Sequence, residues 1–160
     1  MTRTRMMHRK LVGITLLLLA GCSVSPPQPE GQQGFEVEPA AADQPQIRPS
    51  PQTSKAALAL LAKAREAANE GRLSIAEAQL ERALRIEPQN AVLWHYMAKL
   101  RLHQGQLSQA AGLAAKSNSL DQGNPELQAN NWRIIAHARS QKGDKPGAQE
   151  AQRRAEKLLE

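Results

Sequence analysis

Residues 57–90 read ALALLAKAREAANEGRLSIAEAQLERALRIEPQN. Two alanine- and leucine-rich runs flank a short polar turn, Asn69-Glu70-Gly71-Arg72. In the second run Ala76, Leu80, Ala83 and Leu84 recur at i, i+3/i+4 spacing, so they form one apolar stripe on a helix. Ser74-x-x-Glu77, with Leu73 just before it, predicts a capping box at the start of that helix. The stretch therefore predicts a helix–turn–helix hairpin whose stripe must be buried against a neighbour.

The neighbours lie in the same chain. Gly71, Gly105 and Gly143 each sit in a polar turn. Five residues after each stands an alanine (Ala76, Ala110, Ala148), and seven before each stands another (Ala64, Ala98, Ala136). Eleven before stand Leu60, Trp94 and Trp132, and twelve after stand Ala83, Ser117 and Ala155. The first two glycines are 34 residues apart and the next two 38, which predicts one added helical turn before the third unit. Asn124-Pro125 predicts a cap followed by proline in the first turn, and Gly123 a stop for the helix before it. Asp144 predicts a cap for the last helix, with Pro146 in its first turn.

A bulky residue, a small one four later, a turn glycine, then two small residues seven apart: this order resembles the tetratricopeptide repeat. Repeat one covers 57–90, repeat two 91–124 and repeat three 129–160. The resemblance implies an all-α fold, a short solenoid of three helix hairpins. That number is about the minimum at which stacked hairpins bury their stripes. Gln122 stands where the exit proline of repeat two is expected, Gln152 replaces a large apolar residue, and Ala67 and Arg101 fill a usual aromatic position.

Upstream of the repeats the composition changes twice. Residues 1–22, MTRTRMMHRKLVGITLLLLAGC, place a basic head before the apolar stretch 11–20. At helical rise that stretch is roughly 15 Å long, about half a bilayer core, so it suits export rather than spanning. Leu19-Ala20-Gly21-Cys22 resembles the bacterial lipobox, which implies removal of residues 1–21 and acylation of Cys22. Ser23 rather than Asp after the cysteine implies sorting to the outer membrane, facing the periplasm. With the one cysteine of the chain lipidated, no disulfide is available, and the domain must rest on its core. Residues 22–53 hold seven of the ten prolines, many glutamines and few large apolar residues. Such a composition predicts a disordered tether with a reach of roughly 100 Å at about 3.1 Å per residue. The folded domain is then 54–160.

Charge and composition exclude several classes of function. The chain carries 21 Lys+Arg against 15 Asp+Glu, yet Arg3, Arg5, Arg9 and Lys10 belong to the leader. Without those four the balance is 17 to 15, and four aromatics offer no stacking platform for single-stranded bases, so no nucleic-acid partner is expected. No GxSxG, Walker loop, GxGxxG, HExxH or CxxC pair occurs, which argues against an enzyme and gives no cofactor to expect. His95 and His103, eight residues apart without a nearby carboxylate, make a poor metal pair, so no metal site is expected.

What remains is a binding surface. Projected on the repeat, the first helices line a concave groove with Leu61, Arg65, His95, Tyr96, Lys99, Leu102, Arg133 and His137. The surface is amphipathic and net positive, suited to an acidic peptide. The two-carboxylate clamp of chaperone-binding repeat proteins is not matched, because Leu61, Tyr96, Asn130 and Ile134 stand at its positions. Lipobox, tether and three repeats together resemble the LpoP-type outer-membrane lipoproteins. That resemblance implies a partner, a class A penicillin-binding protein, that the domain binds and activates. The alternative is an envelope assembly factor, a secretin pilotin or an outer-membrane protein assembly scaffold. Polar Gln149, Gln152, Arg153, Glu156 and Lys157 on the last helix favour a monomer.

Overall fold

A computed structural model describes residues 47, 49, 52–121 and 123–160. The leader, Cys22 and most of the tether lie outside the described residues. Within them the chain forms six helices in order: α1 (Lys55–Asn69), α2 (Leu73–Ile86), α3 (Ala91–His103), α4 (Leu107–Leu120), α5 (Pro125–Gln141) and α6 (Lys145–Lys157). They pair as three antiparallel hairpins, α1 with α2, α3 with α4 and α5 with α6. Among the described residues none is long and apolar enough to cross a membrane.

Each hairpin turns on its glycine. Gly71, Gly105 and Gly143 take φ of 73°, 71° and 83°. Their N–H groups bond the carbonyls of Ala68, Leu102 and Ser140, while the next residue's N–H reaches Ala67, Arg101 and Arg139. This paired closure satisfies the last carbonyls of the first helix, and it needs the left-handed backbone that glycine adopts without penalty. Nothing lies within 4 Å of a β-carbon built at any of the three, so conformation rather than space selects the glycine.

The helix starts divide into two kinds. Ser54, Asn90, Asn124 and Asp144 accept N–H bonds from the first turns of α1, α3, α5 and α6. Asn124 and Asp144 are thus caps as the sequence predicts. The predicted capping box at Ser74 does not form. The glycine turn starts α2 at Leu73, two residues early, and the cap position falls to Arg72, which makes no side-chain cap. Ser74 is inside the helix, and Glu77 instead accepts from Arg101 Nη2 (2.5 Å) and Gln104 Nε2 (3.0 Å) across the hairpin junction.

Small residues set the spacing of the stack. Ala76, Ala83, Ala98, Ala110, Ala114, Ala151 and Ala155 are fully buried, letting helix axes approach closely. One apolar cluster joins the first two hairpins through Leu61, Leu80, Val92, Leu93, Met97 and Leu100, and a second joins the last two through Ile134 and Ile135. The added turn is at the start of α5, 17 residues long against 13 for α3. It carries Leu127 back into the first cluster. With this extension α4 and α5 pack more extensively than α2 and α3.

Two residues assigned to the tether by composition are buried here. Ile47 joins the first cluster, and Thr53 Oγ1 accepts from Asn90 Nδ2. Beside it Glu87 accepts from Ser54 N and Asn90 Nδ2 at 2.7 Å each. Burial alone would raise the Glu87 pKa, but these bonds outweigh it and hold the carboxyl below its ordinary value. The chain is thus fastened to the α2–α3 loop before α1 begins.

Candidate functional site

The first helices of the three hairpins carry the candidate residues. Tyr96 on α3 is half-buried, and two cations from neighbouring turns and helices lie against its ring. The Arg65 guanidinium carbon on α1 is 5.6 Å from the ring centroid, and Lys99 Nζ is 5.9 Å away. These separations are within cation–π range. Although much of the Lys99 side chain is exposed, partial withdrawal from water, then the charge of Arg65, holds its pKa below the usual lysine value. His103, one turn further along α3, is pulled down the same way, by withdrawal from water and then by Lys99. The sequence projection missed His103 as a member of this group, although its i+4 spacing from Lys99 was a usable signal.

Other candidates sit elsewhere. Leu102 is half-buried against the second apolar cluster. Arg133 is exposed and donates to Asn130 Oδ1 at 3.2 Å, while His137 lies 2.7 Å from Gln141 Nε2. Both contacts stay within α5. Leu61 and His95 are corrections: each is 3% exposed, so neither side chain lines an open face. Leu61 belongs to the first apolar cluster because α1 turns it toward α2 and α3.

His95 is the hub of a buried polar network. Its Nδ1 is 2.7 Å from Asn131 Oδ1. Asn131 Nδ2 donates to Ser117 Oγ and to Asn118 Oδ1, and Ser117 Oγ donates to the Ala91 carbonyl, each at 2.8 Å. With the amide nitrogen committed as a donor, its oxygen accepts, so His95 carries a proton on Nδ1. Burial pushes its pKa down to about 4, against the opposing pull of the Asn131 bond. The network ties α3, α4 and α5 together behind the Tyr96 face.

A second opening lies between α2, α3 and α4. It is a groove of about 760 Å³ with Leu84, Trp94, Met97 and Leu113 in its lining and Arg85 and Arg101 beside them. Trp94 is fixed from two sides: Nε1 donates to the Pro88 carbonyl at 2.7 Å, and Lys116 Nζ lies 4.5 Å from its ring. The same device recurs 38 residues on, where Arg154 lies 4.8 Å from the Trp132 ring. Among the described residues no group of three or more His, Cys, Asp or Glu side chains could hold a metal ion.

The tetratricopeptide repeat family model matches residues 67–129. The chain is 39% identical to the globular C-terminal domain of LpoP from P. aeruginosa, covering 99% of that domain with 66% of its own length, at a TM-score of 0.63. The chain belongs to the LpoP-type tetratricopeptide-repeat proteins. The N-terminal domain of stress-induced protein-1 (STI-1) from C. elegans shares the fold, with a TM-score of 0.62 at 15% identity, 68% of this chain and 88% of that one being covered. No curated protein matches the chain in sequence.

Membership makes the domain a protein-interaction module, and the structure shows which of its surfaces differ from a chaperone clamp. Leu61 and Ile134 are buried, so two of the four clamp positions are closed to any ligand. The open charge is instead gathered round Tyr96.

Proposed function

We propose that this protein is an outer-membrane-anchored periplasmic lipoprotein whose repeat domain binds and activates a bifunctional peptidoglycan synthase, a class A penicillin-binding protein. The observation that carries the reading is the 39% identity to the LpoP domain over nearly all of that domain. The order of the parts supports it. In this reading residues 1–21 are removed and Cys22 is acylated. Residues 22–53 form the tether, of which Ile47 and Thr53 are fastened to the domain. Residues 23–46 alone reach roughly 75 Å when extended, a span fit for work away from the anchoring membrane. Domain docking would raise synthesis by favouring the synthase's active conformation, which requires tighter binding to that state than to the inactive one.

Arg65, Tyr96 and Lys99 form the centre of the docking face in this proposal, with Leu102, Arg133 and His137 further along the first helices, while Leu61 and His95 support it from beneath. Immobilised full-length protein, offered detergent-solubilised envelopes, is expected to retain a class A penicillin-binding protein selectively. An Arg65/Tyr96/Arg133 triple-alanine variant is expected to lose it. Retention of a secretin or a barrel-assembly component in its place would contradict the proposal and favour an assembly factor.

A further inference from the structure

Two cations, Arg65 and Lys99, converge on the Tyr96 ring, and His103 stands one turn beyond Lys99. Arg65, Lys99 and His103 have no ion pair among the described residues, whereas Arg72, Arg101, Arg139, Arg153 and Arg154 each have one. Helix α3 carries no Asp or Glu along its length. Like charges held together raise one another's energy, and an incoming anion relieves that repulsion while the ring holds the cations in place. The depressed Lys99 and His103 pKa values have this same crowding among their causes.

We propose that Arg65, Tyr96 and Lys99, with His103 beside them, form a seat for neighbouring carboxylates on an acidic, extended segment of a protein partner. The chemistry of the face selects that occupant. The cations come from two helices, α1 and α3, so they are spread along the stack as the side chains of an extended peptide are. Tyr96 supplies an apolar surface for the methylene stems between carboxylates. A nucleic acid would need a row of stacking rings, and Tyr96 is the one aromatic side chain in this cluster. The inference rests on the domain being a protein-docking module, not on the identity of the synthase.

Fluorescence anisotropy with full-length protein and a labelled decapeptide of alternating Glu and Ala tests the seat directly. The acidic peptide is expected to bind, and the same peptide with Gln for Glu to bind at least about tenfold more weakly. Arg65→Gln and Lys99→Gln should each weaken the acidic peptide about fivefold to tenfold, with circular dichroism unchanged because both side chains are exposed. Lys145→Gln, an exposed base on α6, should bind like the parent. Equal binding of the two peptides, or parent-like binding by Arg65→Gln and Lys99→Gln, overturns the proposal. Preference of the same residues for phosphatidylglycerol vesicles or an oligonucleotide over the peptide overturns it in favour of that ligand. Synthase retention by the Arg65→Gln/Lys99→Gln double variant would sink the seat and leave the synthase reading standing. Acidic-peptide binding without synthase retention would do the reverse.

Discussion

Asn131→Ala is expected to lower the unfolding free energy by about 3 kcal/mol, read as a fall in the urea midpoint at pH 7. The side chain is fully buried and bonds three partners, so its removal strands the His95 N–H and leaves a void between α4 and α5. The same network makes stability depend on pH. His95 has a folded pKa of about 4 against 6.5 as its ordinary value. The unfolded chain therefore binds the proton first, and stability falls as pH drops from 6.5 toward 4, levelling off below that. The full difference corresponds to about 3 kcal/mol. Glu77 and Glu87, whose carboxyls are held below their ordinary value of 4.5, contribute in a lower window. Their stabilisation is present above 4.5 and is lost as pH falls through their folded pKa values. A urea midpoint unchanged between pH 7 and 4.5 would contradict a His95 held neutral by burial. A loss confined to pH below 4.5 would assign the effect to the carboxylates instead.

Shortening the tether has the second large effect. Deleting residues 28–44 removes roughly 50 Å of extended reach and keeps Ile47 in the apolar cluster and Thr53 on Asn90. The shortened protein is expected to fold and to bind its partner in detergent like the parent. In cells, under the proposed outer-membrane anchoring and synthase activation, it should no longer restore peptidoglycan synthesis to a strain lacking the chain. Full restoration would show that the distance from the membrane is immaterial, as it would be for a pilotin acting beside its own membrane. A deletion extended to residue 48 would confound the test, because it also removes Ile47 from the core.

That difference of a few residues shows where sequence reasoning stops. The hairpins were legible because each turn depends on one glycine and each pair of helices on small residues at fixed offsets. Asn124 and Asp144 were legible as caps because capping is settled within three residues. Ser74 and Glu77 satisfied the same local pattern and were misread. The glycine turn had already set the helix start, and Glu77's partner, Arg101, lies 24 residues away. Ile47 was counted with the tether because proline and glutamine dominate the segment around it. At the candidate site, helical projection groups Arg65, Tyr96 and Lys99, and the two cations lie 5.6 and 5.9 Å from the Tyr96 ring centroid. His95 was misplaced, because its polarity suggested exposure while its partner Asn131 comes from another hairpin, 36 residues on. The paired cation–ring contacts, Trp94 with Lys116 and Trp132 with Arg154, share one offset and were readable in principle.

The most direct test of the central claim is glycan polymerisation by a purified class A penicillin-binding protein from the same cells, measured with and without this protein. Polymerisation from lipid-linked precursor is expected to speed up severalfold with the parent and to return to the basal rate with the Arg65/Tyr96/Arg133 triple-alanine variant. An unchanged rate at concentrations that saturate binding would contradict activation, whatever the two proteins' affinity.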